Sequence, residues 1–276
     1  MAKGKIIEIV CKHDGFEKHI SMPSGCTIRE IIEKLHPGEI KSYVGAFVNR
    51  RLQEIGARVN NDAVVELLPL NSPIGYDLYK RSIILLMLKA ARDVLQKSEG
   101  DYRIEIMYSL GRGFFCRLED VDTVTDEEFL AKLKARMQEL VDKDIIIEKK
   151  ICATKDMREE FLKRDLPAKS ALLKFRRASK INMYELDGYI DYYYGYMVPS
   201  TGYLTEFDLV RYDDGFVLVI PAKKTLKNDI QSVEFQRMLK EIYRAKKIST
   251  LRYVCLRTGI FEIFYFFRFI YQILKG

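Results

Sequence analysis

The chain has 276 residues, of which 48% are hydrophobic and 31% are charged. This balance excludes a largely disordered protein, which would be poorer in apolar residues, and an integral membrane protein, which would be richer. The length predicts two compact domains with a tail, and the formal net charge of +7 favours a polyanionic partner or, alternatively, serves solubility alone.

Five cysteines are scattered along the chain without a Cys-x-x-Cys pair: Cys11, Cys26, Cys116, Cys152 and Cys255. An odd number at such wide spacing is typical of reduced thiols rather than of a disulfide framework. The N-terminus is basic, but the apolar stretch that follows, residues 6–10, is too short for a secretory signal. These features predict a cytoplasmic protein.

The first seventy residues alternate between strand and helix patterns. Their apolar spacing predicts four strands, at residues 5–10, 16–22, 44–48 and 63–68. Between the second and third strands, Thr27 and Glu30 have the spacing of a capping box, which predicts a helix that ends at Leu35. The order β-β-α-β-β in so short a segment is typical of a β-grasp fold.

Three short segments of this region carry a family resemblance: residues 23–27 (PSGCT), 44–49 (VGAFVN) and 61–66 (NDAVVE). With them, residues 1–70 resemble the TGS domain, a ubiquitin-like module at the front of threonyl-tRNA synthetases and of some GTPases and stringent-response enzymes. The resemblance implies a β-grasp domain that binds RNA or partner proteins and performs no chemistry.

A second domain is predicted for residues 73–225, with helices and strands interspersed. Apolar residues at helical spacing predict a long helix from Tyr76 to about Leu95. The later elements are a hairpin at 103–109 and 114–118, a helix from Thr125 to about Val141, a strand at 145–149, a helix from Thr154 and a strand-rich stretch at 181–221. The whole chain is therefore predicted to be α+β.

The last segment, residues 226–276, changes character along its length. A helical pattern runs to about Lys247 and is followed by an apolar stretch at 261–270. Glu262 and Arg268 interrupt that stretch, and it is shorter than the roughly 20 residues that a membrane-spanning helix needs. A docking helix or a disordered end is expected here, and no membrane partner.

The second domain also resembles a known family. Its strand-rich stretch reads Asp191-Tyr-Tyr-Tyr-Gly-Tyr-Met-Val-Pro199. This is similar to D-x-C-x-G-x-H-V-P in the second additional domain of threonyl-tRNA synthetase, an editing domain that removes wrongly attached serine. The family pairs that motif with H-x-x-x-H on the first helix. Here Arg81 and Leu85 stand at the two helix histidines, Tyr193 at the cysteine and Met197 at the last histidine, so the resemblance implies a degenerate editing site.

The distribution of histidine points the same way without any family. The three histidines, His13, His19 and His36, all lie in the first domain, whereas acid–base catalysis near neutral pH usually uses one. We therefore expect no catalytic residue, no metal site and no cofactor in the second domain. The carboxylates Asp77, Glu185, Asp187 and Asp191 leave a diverged hydrolase open as an alternative.

The two domains together suggest a wider relationship. A TGS domain followed by Asp77-x-x-x-Arg81-Ser82 and residues 192–203 resembles the front half of long bacterial uridine kinase-like proteins. In that family a P-loop kinase domain follows and carries nucleotide binding, and this chain contains no G-x-x-x-x-G-K-[ST] motif. The resemblance implies an accessory region whose partner is a P-loop kinase domain.

Candidate nucleic-acid contacts lie beside the degenerate site. The basic residues are Lys174, Arg176, Arg177 and Lys180, and Tyr196 is the aromatic candidate because, with Tyr193 and Met197, it stands in the positions of the editing pocket. Lysine and arginine neutralise phosphates and aromatic faces stack bases, so the combination favours tRNA or another RNA. The alternatives are a solvated charged face and aromatic cross-strand pairs. For Arg81, binding of an anion and pairing with Asp77 both stay open.

Overall fold

The computed structural model describes residues 5–13, 16–97, 100–110, 113–119 and 125–221. The predictions for the segment 226–276 lie outside these residues. Within the described ranges, no helix is both long enough and apolar enough to cross a membrane.

The first seventy residues form a mixed sheet covered by one helix. The elements are β1 (Ile6–His13), β2 (Phe16–Pro23), β3 (Cys26–Thr27), α1 (Ile28–Leu35), a 3₁₀ turn (Ile40–Ser42), β4 (Tyr43–Val48), β5 (Arg51–Glu54), β6 (Arg58–Val59) and β7 (Ala63–Pro69). Five strands make one sheet in the order β2-β1-β7-β4-β5, with β1 parallel to β7 and the other pairs antiparallel. This is the predicted β-grasp arrangement, with β5 and the short pair β3–β6 added.

Local sequence explains why these elements form. Thr27 accepts a hydrogen bond from the backbone of Glu30, and the Glu30 side chain accepts one from the backbone of Thr27, so the capping box is complete. The helix that follows presents Ile28, Ile31 and Ile32 to the sheet, and all three are fully buried. The β-grasp therefore has its own hydrophobic core.

The described part of residues 73–221 forms four helices and two further sheets. The elements are α2 (Pro73–Leu95), β8 (Arg103–Leu110), β9 (Gly113–Glu119), α3 (Glu127–Asp142), β10 (Glu148–Ala153), α4 (Thr154–Lys163), α5 (Pro167–Lys174), β11 (Lys180–Leu186), β12 (Tyr189–Tyr192), a 3₁₀ turn (Thr201–Tyr203), β13 (Asp208–Tyr212) and β14 (Gly215–Val219). The sheets have the orders β10-β11-β12 and β13-β14-β9-β8. All their pairs are antiparallel.

Two details of residues 73–221 differ from the sequence-based expectation. The strand expected at residues 145–149 begins only at Glu148, because the amides of Ile145 and Ile147 donate instead to the Thr201 hydroxyl and the Pro199 carbonyl. The short helix α5 was not predicted. Its proline at the first turn is compatible with a helix start, since the amide that proline lacks would be unpaired there in any case.

Helix α2 is the centre of the second hydrophobic core. Its residues Tyr79, Ile83 and Leu86 are fully buried, and the same core takes in Val44 and Leu68 from the β-grasp. At the start of α2, the backbone of Gly75 packs closely against that of Pro69. A Cβ on Gly75 would lie 2.2 Å from the Pro69 carbonyl oxygen. The two halves of the described chain therefore pack directly on one another. The predicted domain limits, 1–70 and 73–225, stay predictions.

Candidate nucleic-acid interface

The degenerate motif continues after β12 as an irregular segment that contacts Arg81 and Ser82 near the middle of α2. Gly195 at its centre has φ of +115°, a conformation that residues with a side chain rarely adopt. Tyr184 donates a hydrogen bond to the Gly195 carbonyl at 2.7 Å, and Arg81 Nε donates to the Tyr196 carbonyl at 2.9 Å. A Cβ on Gly195 would come within 3.3 Å of the Arg81 guanidinium. Glycine therefore lets the segment lie close over α2.

A buried serine anchors the same segment from below. The Ser82 hydroxyl accepts a hydrogen bond from the Val198 amide at 2.9 Å and donates one to the Leu78 carbonyl at 2.8 Å. Ser82 is fully buried, so neither group has water as a substitute partner. In the sequence, Ser82 is recognisable only as part of the pattern Asp77-x-x-x-Arg81-Ser82. Its anchoring role depends on a residue 116 positions away and has no local signal.

The four positions of the degenerate motif have different environments. Leu85 is fully buried and Met197 is 3% exposed, and both belong to the core around α2. Tyr193 is partly buried and packs edge-on against Tyr184, with ring centroids 6.4 Å apart. Leu85 and Met197 are thus buried apolar side chains, and Met197 also borders a larger cavity.

Arg81 is held by the backbone rather than by a carboxylate. Asp77, the partner weighed for it, forms its ion pair with Lys80 at 2.6 Å. Burial lowers the pKa of Arg81, and the charge of Asp77 opposes that shift. Arg81 therefore supports the segment at Tyr196 through this backbone hydrogen bond.

The basic run 174–180 meets the tyrosines of the motif. The Arg176 guanidinium lies over the rings of Tyr192 and Tyr194, at 4.8 and 4.9 Å from their centroids. Its Nε is buried and has no hydrogen-bond partner. Tyr194 is 79% exposed, and Phe175, which precedes Arg176 in the chain, is 84% exposed.

A small cavity lies at this meeting point, and we call it the tyrosine pocket. It encloses about 280 Å³ and is lined by Arg176, Lys180 and residues 181–182 and 193–196. No carboxylate is among the described residues that line it. Of the predicted contacts, Arg176, Lys180 and Tyr196 reach the pocket, whereas Lys174 and Arg177 are exposed but do not line it. Tyr196 also stacks on Lys149, whose Nζ is 4.4 Å from the ring centroid.

The tyrosines between residues 184 and 203 lie partly in the core and partly at the surface. Tyr184, Tyr189 and Tyr203 are buried core residues. Tyr184 and Tyr189 lie opposite Lys149, Asp191 and Leu186 in their strands, so the structure does not place these tyrosines in aromatic cross-strand pairs. Tyr194 is exposed, and Tyr193 and Tyr196 are partly buried in the pocket wall. The strand alternation of β12 followed by a turn therefore places only part of the cluster where a ligand can reach it.

Lys169 and Asp191 form an ion pair that the sequence did not predict. Lys169 on α5 lies 2.7 Å from Asp191 on β12, and Asp191 is 8% exposed. Burial raises the pKa of Asp191, and the Lys169 charge opposes that rise. Burial also raises the pKa of Tyr193, with a further contribution from the Asp191 charge. No spacing in the sequence connects Lys169 with Asp191, because the contact joins a helix to a strand.

The other carboxylates weighed for catalysis are engaged in ion pairs. Glu185 pairs with Lys150 at 2.7 Å, and Asp187 pairs with the buried Lys89 at 3.1 Å. Among the residues that the structure describes, no group of three or more histidine, cysteine, aspartate or glutamate side chains could hold a metal ion.

The sequence has recognisable relatives, although no protein-family model matches it. The threonine–tRNA ligase of Thermotoga maritima is 26% identical over 197 residues, which are 71% of this chain and 29% of that protein. That of Syntrophotalea carbinolica is 27% identical over 202 residues, 69% of this chain and 31% of the relative. The threonine–tRNA ligase of Acinetobacter baylyi is 22% identical over 240 residues, which are 87% of this chain and 35% of that protein.

This chain thus spans about three tenths of the length of the curated relatives it matches. It is similar to the N-terminal region of threonine–tRNA ligases. The predicted fold class is confirmed: a β-grasp region is followed by a region of the editing-domain type, and both are mixed α and β.

Proposed function

We propose that this chain binds an unpaired segment of tRNA, or of another RNA, in the tyrosine pocket and does not hydrolyse it. The observation that carries the proposal is the pocket itself. Arg176 and Lys180 enter it with three tyrosines, and no carboxylate among the described lining residues opposes them.

The chemistry of the pocket suits a nucleotide within a single strand. Cations without acidic neighbours attract phosphates and release counterions on binding. Exposed aromatic rings stack bases at about 1–3 kcal/mol per base, whatever the sequence. Tyr194 lines the pocket and is 79% exposed, as such stacking requires. The pocket is too small for a duplex, so an unpaired end or loop is the expected ligand.

Binding without hydrolysis follows from the four substituted positions. Leu85 and Met197 are apolar and buried, and neither can ligate a metal or accept a proton. Arg81 is engaged with the Tyr196 carbonyl. Tyr193 cannot act as a general base near neutral pH, because burial raises its pKa well above the ordinary value.

The relatives support tRNA as the RNA in question. They carry the name threonine–tRNA ligase, and the shared part is their N-terminal region. By this likeness we propose that the segment recognised here is the unpaired end of a tRNA. Residues 1–70 are proposed as a TGS-like module that adds a second contact.

The decisive experiment measures tRNA affinity by fluorescence anisotropy at several salt concentrations with the full chain. Lys180→Gln and Arg176→Gln should each weaken binding and reduce its salt dependence, because each removes about one phosphate contact. Arg176→Lys should keep the salt slope but lose stacking. Lys132→Gln, on the exposed face of α3, is the matched control. Unchanged affinity in both pocket variants would contradict the proposal.

An enzymatic arm separates binding from catalysis. Incubation with serine-charged threonine tRNA should give no release of serine above the uncatalysed rate. Turnover that disappears in Asp191→Asn would support the diverged hydrolase instead, since Asp191 is a carboxylate with a raised pKa beside Lys169.

The relationship to uridine kinase-like proteins is a separate proposal. It is supported by the combination of domains and by the residues quoted for it, and no P-loop motif occurs in this chain. Reading the coding DNA beyond the last codon for a G-x-x-x-x-G-K-[ST] segment in any frame tests it. Its absence would remove the kinase from the proposal and leave RNA binding untouched.

A further inference from the structure

A larger cavity lies where the β-grasp meets residues 144–203, apart from the tyrosine pocket. It encloses about 860 Å³, which is within the range of small-molecule sites and at the kind of junction where such sites are common. Two ion pairs join the two sides around it, one between Lys41 and Asp144 at 3.0 Å and one between Lys149 and Glu54.

The floor of this junction cavity is apolar and aromatic. Ile55, Met197 and Tyr203 line it and are all buried. Tyr184 lines it as well, and the hydroxyls of both tyrosines are bonded to backbone carbonyls, that of Tyr203 to Ile40 at 3.1 Å. The cavity therefore meets the hydrocarbon parts of these rings, which favour a flat apolar or aromatic body.

Among the described residues of the rim, one cation lacks a carboxylate partner. Lys41, Lys149 and Lys150 are each paired with a carboxylate. Arg29, on α1, also lines the cavity and has no carboxylate partner among the described residues. Its charge acts on the cavity floor, because it opposes the burial that raises the pKa of Tyr203 to about 12.

The other charges of the rim compensate one another. Glu54, Asp144 and Glu148 line the cavity and are paired with Lys149, Lys41 and Lys150, respectively. Among the described rim residues this leaves the one positive charge of Arg29, which suits a compact ligand with one anionic group better than a polyphosphate chain with many. An arginine fork suits a carboxylate, a sulfonate or a phosphate.

We propose that the junction cavity is a binding site for a small aromatic anion, with its ring on the floor formed by Ile55, Met197 and Tyr203 and its single negative group on Arg29. The site would take a ligand that contacts both halves of the chain at once. It does not depend on RNA binding in the tyrosine pocket.

The probe for this site is 8-anilinonaphthalene-1-sulfonate, which has an aromatic body and one sulfonate. Arg29→Gln should raise the dissociation constant roughly tenfold, the loss expected for one charge-assisted contact. Arg51→Gln, an exposed arginine on β5 that does not line the cavity, should leave it unchanged.

A blocking variant tests the place of binding. Gly56 lines the cavity, and a Cβ built there meets no atom within 4 Å, so Gly56→Phe can fill the space without backbone strain. It should abolish saturable binding, whereas Gly56→Ala should retain it. In methyl NMR spectra of the wild type, the probe should shift Met197 and leave Met157, which belongs to a separate core, in place.

Three results would overturn the proposal: an unchanged dissociation constant in Arg29→Gln, saturable binding in Gly56→Phe, or a shift of Met157 instead of Met197. Arg176→Gln, in the tyrosine pocket, does not line the junction cavity and should bind the probe with the affinity of the wild type. Failure at this site is thereby distinguishable from failure of the proposed RNA binding.

Discussion

Truncation of Leu85 tests whether the second degenerate position is core or pocket. Leu85 is fully buried in the cluster around α2, so Leu85→Ala loses its transfer free energy and leaves a cavity, at a cost of about 2–5 kcal/mol. A loss of about 3 kcal/mol would lower the melting temperature by about 6–12 °C in a protein of this size. Thermal and urea unfolding followed by circular dichroism measure both quantities.

The matched control is Leu162→Ala, the same substitution on a helix at a residue that is 56% exposed. It should change the free energy of unfolding by no more than about 0.5 kcal/mol. A side chain that lined an open pocket would behave like the control. If Leu85→Ala costs less than about 1 kcal/mol, the position is not a filled core, and the argument against a retained reaction site is refuted.

Three further substitutions probe the support of the site. Ser82→Ala should cost about 1–3 kcal/mol in urea unfolding, because it strands the buried Val198 amide; a cost near zero would show that another group takes over. Gly75→Ala should destabilise the chain through its 2.2 Å approach to a carbonyl oxygen, whereas Gly56→Ala should not; equal stability of the two would contradict the close packing. For Asp191, burial raises the folded pKa, so its contribution to stability is full below the unfolded pKa of about 4 and lost as the pH rises through the folded value. The wild type should therefore lose stability relative to Asp191→Asn across that window, and a constant difference would count against the raised pKa.

Local patterns in the sequence were sufficient for the β-grasp. The capping box of Thr27 and Glu30 and the alternation of buried and exposed residues at the start of β7 act over a few residues, and the structure reproduces both. The strand expected at 145–149 was shortened for the opposite reason. Its first amides are bonded to Pro199 and Thr201, more than fifty residues away, and no local propensity anticipates such a competitor.

The sequence by itself determined which chemistry is missing, because the identities of Arg81, Leu85, Tyr193 and Met197 do not depend on the fold. Only the tertiary structure decided what replaced it. Leu85 and Met197 became core, Arg81 a support for the backbone, and Tyr193 part of a pocket wall with Arg176 and Lys180. Residues far apart in the chain come into contact through packing and sheet pairing, and their spacing along the chain does not predict those contacts.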